Sequence, residues 1–431
     1  MNKMRRRNSV WLIRDFRLLY GASALSHLGS NVTYVAIPLV AVMALDAQPG
    51  QIAALSALST AAFLVIGLPA GAWVDRLPKR AVLVAADGIR AGLLISVPVA
   101  WWIDTLSIFQ LYVVVLLTGC ATVFFDVGSQ SFLPDIVNRD RLVPANTAVV
   151  SLMAGANVAG RGIGGLAIQL FTAPLAVLGA SLSYLASALG LTAVRHKTVP
   201  ARKDANRRLR SDIADGLRHV FSSKELRALA LTATLTNLGL QMINVMLPIL
   251  FTRELRLPAG VLGAYLAAGG VGLLVGARCA PLLSKRFGMG RTLGLAGLFF
   301  APATLAISLV GNGIWIWLAS GGWVAATVKI GIDNVLGISL RQKMTPDNLL
   351  GRMNATFRFL LTSALALGSV LGGLIAEVFG LRMAICAGAI LMAGAFMPVF
   401  ASPIRKLSPT RLSSEPPREV RSTGTAKDPG D

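Results

Sequence analysis

Apolar runs of membrane-crossing length alternate with short polar connections along almost the whole chain. The first six lie at roughly 18–44, 51–74, 81–103, 109–133, 145–170 and 174–194, and the second six at 228–251, 259–283, 292–311, 314–338, 354–378 and 381–401. About 20 consecutive apolar residues carry a helix across a bilayer, so the pattern predicts an all-α membrane protein with twelve transmembrane helices. It also divides the chain into a short N-terminal segment 1–17, a six-helix bundle 18–194, a hydrophilic linker 195–227, a second six-helix bundle 228–402 and a tail 403–431. The tail, rich in Ser, Thr, Pro and Arg, has too little apolar surface to fold alone and is expected to be disordered. Within the linker, the amphipathic piece Ile213–Phe221 is expected to lie as a helix on the membrane surface.

The two halves carry the same marks at a nearly constant spacing. Gly29 and Pro38 match Gly239 and Pro248, while Gly67, Gly71, Asp75 and Arg76 fall on Gly276, Ala280, Ser284 and Lys285. Asp126, Asp140 and Leu142 match Asp333, Asp347 and Leu349, and Gly160, Gly164 and Gly165 match Gly368, Gly372 and Gly373. The offset drifts only from 207 to 210. Such a register without large insertions predicts one six-helix unit repeated in the same orientation, the copies related by an axis along the membrane normal. Chance recurrence of glycine in glycine-rich helices does not supply the matching prolines and aspartates.

Composition agrees with the runs. The 431 residues are 54% hydrophobic and 14% charged, with a mean hydropathy of +0.65; soluble domains carry about 25% charged residues. A net charge of +21 in a soluble protein would suggest nucleic acid, but here the basic residues sit between the apolar runs, so no nucleic-acid partner is expected. Their distribution sets orientation instead. Lys3, Arg5, Arg6, Arg7, Arg14 and Arg17 precede the first run, and Arg195 to Arg227 separates the halves, whereas the connections at 46–50 and 172–174 hold no basic residue. By the positive-inside rule both termini and the linker are cytoplasmic, with Arg253 and Arg256 the exceptions, offset in part by Glu254. No cleavable leader pattern follows the basic start. Cys120, Cys279 and Cys386 all fall inside apolar runs and read as packing residues.

The connection after the second run carries the most specific motif. Gly71, Asp75, Arg76, Lys79 and Arg80 match G-x-x-x-D-[RK]-x-x-[RK]-[RK], and the chain therefore resembles the major facilitator superfamily of secondary transporters. Within it, Phe16-Arg-Leu-Leu-Tyr20, Phe124-Phe-Asp126-Val127, Leu133-Pro-Asp-Ile-Val137 and a glycine-rich fifth helix resemble the drug/proton antiporters of the macrolide-efflux and enterobactin-exporter kind. The resemblance covers residues 10–402 and implies the major facilitator fold, alternating access, and a binding site at the midplane between the halves. Glycines 67 and 71 are expected to mark a helix face open to close approach. In the resembled family an acid at the end of helix 4 helps latch this loop, which implies that Asp126 engages Arg76 or Arg80. Asp75 has no acidic counterpart in the second half, where Ser284 stands, so a single latch in the N-terminal half is expected.

Candidate cavity residues come from helix faces. His27, Asn31 and Tyr34 share a face of helix 1 at mid-bilayer depth, and the repeat maps them onto Asn237, Gln241 and Asn244 of helix 7. Unpaired polar groups are costly in hydrocarbon, so the two stripes line a central cavity or bond helices together. Two groups are candidates for proton coupling. His27 lies at central depth and a free histidine titrates near neutrality, and Asp126 is an ionisable group inside a span, as latch or as carrier. Asp87 with Arg90, and Lys329 with Asp333, are spaced to neutralise one another. Helix 5 reads Gly160-Arg161-Gly162-Ile163-Gly164-Gly165, where the antiporter signature is G-P-x-x-G-G. Arg161 replaces the proline, and either snorkels outward or faces the cavity and attracts anionic substrate.

These features predict a monomeric secondary transporter of the plasma membrane. It is expected to export a hydrophobic or amphipathic small molecule (a drug, a macrolide or a siderophore-like compound) in exchange for protons. The alternative is a proton-coupled symporter importing a small metabolite. No phosphate loop and no cofactor are expected, the proton gradient being the drive. Three histidines, His27, His196 and His219, form no catalytic cluster, so an enzyme is not expected.

Overall fold

The computed structural model describes residues 10–137, 141–195, 217–346 and 349–406. Within its helices, the side chains of Gly71 and Asp75 lie outside the described set, as do the residues 196–216 and 407–431, which hold His196, Ile213 and most of the tail. No strand occurs among the described residues, which form twelve long helices. In chain order these are α1 Arg14–Ala44, α2 Pro49–Arg76, α3 Lys79–Trp102, α4 Ile108–Ile136, α5 Leu142–Leu170 and α6 Ala173–Thr192. The second half comprises α7 Lys224–Ile249, α8 Ala259–Phe287, α9 Met289–Leu305, α10 Ile314–Lys343, α11 Leu350–Phe379 and α12 Leu381–Gly394.

Every predicted run is a helix, but several helices outlast their apolar run. α1 starts at Arg14 and α7 at Lys224, while α8 and α10 end on Lys285–Arg286 and Arg341–Lys343. Backbone hydrogen bonding continues where the side chains turn polar, carrying charged ends into the headgroup layer. Helix starts are written in cap residues. Ser107, Thr172 and Ser223 accept from the backbone N–H groups of Gln110, Leu175 and Leu226, satisfying donors that the first turn leaves free. Two spans are broken rather than continuous: α9 passes into a 3₁₀ turn at Ala306–Leu309, and α12 stops at Gly394 before a short helix Met397–Ala401 that begins beside Pro398.

Eleven helical segments are long and apolar enough to cross a membrane by length and composition. The remaining long helix, α5, is diluted by Asn146, Asn157, Arg161 and Gln169. It packs against α1 and α8, with Asn157 and Arg161 partly buried and Asn146 and Gln169, near its two ends, exposed.

The repeat is visible as packing. A side chain at Gly160 or Gly164 would meet α1 at Leu28 O and Val32 Cα, both 3.2 Å away, and one at Gly368 or Gly372 would meet α7 at Leu238 O (2.5 Å) and Met242 Cα (3.1 Å). Gly165 then faces α8 across the halves, where Gly263 Cα is 2.6 Å from an added Cβ, and Gly373 faces Ala53 of α2. Helices α5 and α11 therefore each press one glycine pair inward and one glycine across the interface. The turns repeat as well. Asp46 after α1 and Arg256 after α7 both take left-handed φ values, 50° and 52°, and Asp104 after α3 is matched by Gly313 before α10 at 53° and 68°. One expected close approach is missing: an added side chain at Gly67 meets nothing within 4 Å, whereas its counterpart Gly276 lies against Val328 O.

The halves meet mainly through α5 with α8 and α2 with α11. The glycine contacts of these pairs fall near Gly50, Gly165, Gly263 and Gly373, at the end of the bundle opposite the termini. There Arg253 reaches across to Asp46 at 2.6 Å and donates to Val42 O at 3.3 Å. This ion pair accounts for one of the two basic residues that depart from the charge pattern.

Candidate functional site

Between the halves lies a cavity of about 460 Å³ lined from α1, α2, α3, α4, α6, α7, α8 and α11. Its walls are mostly apolar, with Ile37, Leu55, Phe63, Leu94, Val114 and Leu262 among them, interleaved with the hydroxyls of Ser30, Thr33, Ser59, Thr60, Thr118 and Thr122. Spacing on α1 explains the mixture: positions 30, 33, 34, 37 and 38 form one stripe of the helix, and they read Ser, Thr, Tyr, Ile and Pro. A wall of this kind holds an apolar body while short hydroxyls orient it.

Three of the six expected cavity residues line it: Tyr34, Gln241 and Asn244. Gln241 donates through Nε2 to Ser56 Oγ at 2.6 Å and to Ser369 Oγ at 3.2 Å, and Ser369 Oγ donates to Ser56 Oγ at 3.2 Å. That three-residue clasp joins α2 of one half to α7 and α11 of the other. Asn244 Oδ1 is buried at the cavity without a hydrogen-bond partner among the described residues. Tyr34 carries the guanidinium of Arg161 over its ring at 4.6 Å, so Arg161 stands beside the cavity wall. The motif glycines Gly160, Gly164 and Gly165 serve the helix contacts already described.

The other three stand elsewhere. His27 presents its ring to the edge of Phe125 on α4 at 6.3 Å, Asn31 donates to His27 O at 2.9 Å, and Asn237 donates to Ala233 O at 2.8 Å. Asn237 lines instead a separate space of about 100 Å³ inside the C-terminal half, beside the Lys329–Asp333 ion pair of 2.6 Å. Asn31 is turned about 60° from Tyr34 at 3.6 residues per turn and faces Gly160 of α5. His27 and Asn237 lie seven residues before Tyr34 and Asn244, within about 20° of them in rotation but about 10 Å earlier along the helix, so it is the extent of the cavity along the axis that leaves them out.

The expected latch is arranged differently from the expectation. Lys79 Nζ pairs with Asp135 at 2.7 Å and donates to Ser131 O at 2.9 Å. Arg80 caps the end of α6, donating through Nε to Leu191 O at 3.2 Å and through Nη2 to Thr192 O. Arg76 is exposed. Asp126 receives none of these cations, because α4 runs on to Ile136 and so places Asp126 about 15 Å up the helix from its end. Its carboxylate makes no hydrogen bond or ion pair among the described residues, and the charges that act on it are those of Arg90, Arg358 and Asp87.

Two features went unmarked in the sequence. The first is a buried cluster behind the α1 wall. Arg90, ion-paired to Asp87, donates to Ser26 Oγ at 3.1 Å and is sandwiched over the rings of Phe125 (4.6 Å) and Tyr184 (4.4 Å). Tyr184 in turn shares a 2.8 Å hydrogen bond with the cavity residue Ser30. The pairing of Asp87 with Arg90 was legible from their spacing, but the contact to the cavity was not. The second is Arg358 of α11, the one formally charged side chain among the cavity-lining residues. Its signal was a charge five residues inside an apolar run.

Comparison with known proteins places the fold and the family. The model of a family described as transmembrane secretion effector matches residues 11–422. The enterobactin exporter EntS of Salmonella choleraesuis (strain SC-B67) is 31% identical over 160 residues, 36% of this chain and 37% of that protein, so the match spans little more than a third of the curated relative. Among solved structures, the nucleoside transporter NupG superposes with a TM-score of 0.74 at 12% identity, over 90% of this chain and 100% of that one. A bacterial homologue of the iron transporter ferroportin in its inward-facing state gives 0.72 at 18% identity, over 91% and 100%. An inward-facing bacterial homologue of the human lysosomal transporter Spinster gives 0.72 at 12%, over 91% and 97%.

Proposed function

The chain belongs to the transmembrane secretion effector family of membrane transporters, within the major facilitator superfamily, and on that premise we propose that it exports an amphipathic small molecule across the plasma membrane by alternating access. The observation that carries this reading is the cavity between two repeated halves, clasped at one end by Ser56, Gln241 and Ser369. With the termini cytoplasmic, as the basic connections argue, the clasped end is the outer one and the cavity is loaded from inside. Outward release then requires the Asp46–Arg253 pair and the Ser56–Gln241 bond to part as the inner ends of the bundles close. Efflux rather than uptake is supported by the name of the curated relative, an exporter. Protons are the proposed drive, with Asp126 and His27 as candidate carriers, and the chain works as a monomer without a cofactor.

Susceptibility of a strain lacking the chain identifies candidate cargo from panels of drugs and siderophores. Proteoliposomes with an imposed pH gradient then test direction and drive. Flux out of the cytoplasmic-side compartment that stops when the proton gradient, pH difference and membrane potential together, is collapsed is expected. A gradient-independent leak would mark a channel, turnover of the compound an enzyme, and a lost-uptake phenotype without any sensitivity an importer; each result overturns the proposal.

A further inference from the structure

The cavity holds one formal charge and nothing that neutralises it directly. Arg358 lines it from α11, and no carboxylate is among the lining residues. The guanidinium makes no hydrogen bond or ion pair among the described residues; it stands 5.7 Å from the centroid of the Phe63 ring, itself part of the wall. Arg358 and Asp126 act on one another through their charges, and Asp126 stands outside the lining. Around this cation the wall is apolar or hydroxyl-bearing. Arg161, over Tyr34, adds a second positive charge beside the wall, and its Nε is buried without a partner.

Arg358 is solvent-accessible in the open cavity, and its five planar donors match a carboxylate, sulfonate or phosphate in a bidentate fork. We infer that the substrate is an anionic amphiphile, its acidic group held by Arg358 and its apolar body lying along Phe63, Leu55 and Leu262 toward the clasped end. This inference rests on the cavity being the transport site and names the class of its cargo. A cationic drug meets the wrong sign here, and a neutral one leaves Arg358 unmatched. The assignment moves the anion from Arg161, where the helix-5 motif pointed, to a residue whose side chain is itself part of the cavity wall.

The test reads the charge of the cavity without needing turnover. Thr362, one turn along α11 from Arg358 and also in the wall, is changed to Cys in a chain whose own three cysteines are replaced. Labelling rates are compared for an anionic sulfonate and a cationic trimethylammonium methanethiosulfonate, each normalised to the same reagent on a free thiol. The anionic reagent is expected to be favoured by roughly tenfold, as for a cleft of one sign with low-dielectric walls. R358Q is expected to abolish the preference, R358K to keep most of it, and R161Q to reduce it only in part. Decanoate is expected to slow labelling by a neutral thiosulfonate, and decyltrimethylammonium is not. Preference for the cation, an unbiased ratio, a ratio indifferent to R358Q, better protection by the ammonium compound, or a Thr362→Cys thiol that no reagent reaches each overturns the inference. A chain that passes yet moves nothing in proteoliposomes fails the transport reading while the anion site stands.

Discussion

Replacing Gly165 with Ala separates packing from chemistry at the interface between the halves. The added Cβ would lie 2.6 Å from Gly263 Cα, 2.9 Å from Ala259 O and 3.0 Å from Gly263 N, all of them backbone. Carbon atoms pack at about 3.5–4.0 Å, so α5 and α8 must back away from one another by close to 1 Å at this level. No flexible side chain is available to yield. Overpacking of a close-packed contact costs about 1–3 kcal/mol, and the cost falls only on the conformation in which the clasped ends touch. The equilibrium between conformations should therefore move toward separation of those ends by roughly 5- to 150-fold. Spin labels on Phe171→Cys and Phe379→Cys, exposed positions at the clasped end in opposite halves, read the separation as a distance distribution. G165A should convert a predominantly short distance into a long one. G92A is the control, since a side chain at Gly92 meets nothing within 4 Å and alanine there only favours the helix. An unchanged distribution in folded G165A, or the same shift in G92A, would refute the idea that this contact holds the end shut.

The equivalent contact in the other half predicts a rescue. An added methyl at Gly373 meets the methyl of Ala53 at 2.3 Å while the nearest backbone atom, Gly50 Cα, is 3.6 Å away, so G373A should impair flux and A53G should restore it, read as a coupling in a double-mutant cycle. Lys329 and Asp333 form a largely buried ion pair in α10. Removing one partner should destabilise the protein by about 3–5 kcal/mol, whereas K329M together with D333L should recover most of that loss; thermal unfolding in detergent, followed by cysteine exposure, checks the order of the three variants.

The bundle was legible because a bilayer leaves few choices. Unsatisfied backbone in hydrocarbon forces helices, so apolar run length predicted all twelve, and glycine and proline spacing predicted the repeat that Gly160/Gly368 and Gly165/Gly373 display as contacts. The cavity was legible only in part. Repeat register pairs Tyr34 with Asn244 but does not say over what length of each helix the cavity extends, and that length decides why Ser30 and Tyr34 line it while His27, on the same stripe seven residues earlier, does not. Clasp residues such as Ser56 and Ser369 carry no sequence signal, because a serine in a membrane helix can equally bond its own backbone, as Ser59 does to Ser56 O at 2.7 Å. The loop motif supplied cations whose partners, Asp135 and the end of α6, are fixed by where α3, α4 and α6 end.

The anion site and the proton site constrain one another. A proton bound at Asp126 removes a negative charge that acts on Arg358, so it strengthens the attraction of Arg358 for an anion. Proton and anionic cargo then favour the same loaded state. Exchange needs the opposite sign, a proton that expels the cargo, so Asp126 and Arg358 together do not make an antiporter by direct electrostatic competition. Export of an anion has a second source of energy. An inside-negative membrane expels each negative charge with about 2.3 kcal/mol per 100 mV, enough for about a fiftyfold gradient per charge. A potassium-diffusion potential imposed with valinomycin on proteoliposomes, without any pH difference, should therefore drive outward movement of the anionic cargo. D126N should leave that movement in place, since it removes the same negative charge permanently. If only a pH gradient drives flux and D126N abolishes it, the cargo is not bound as an anion at Arg358, and Asp126 is the exchange site after all.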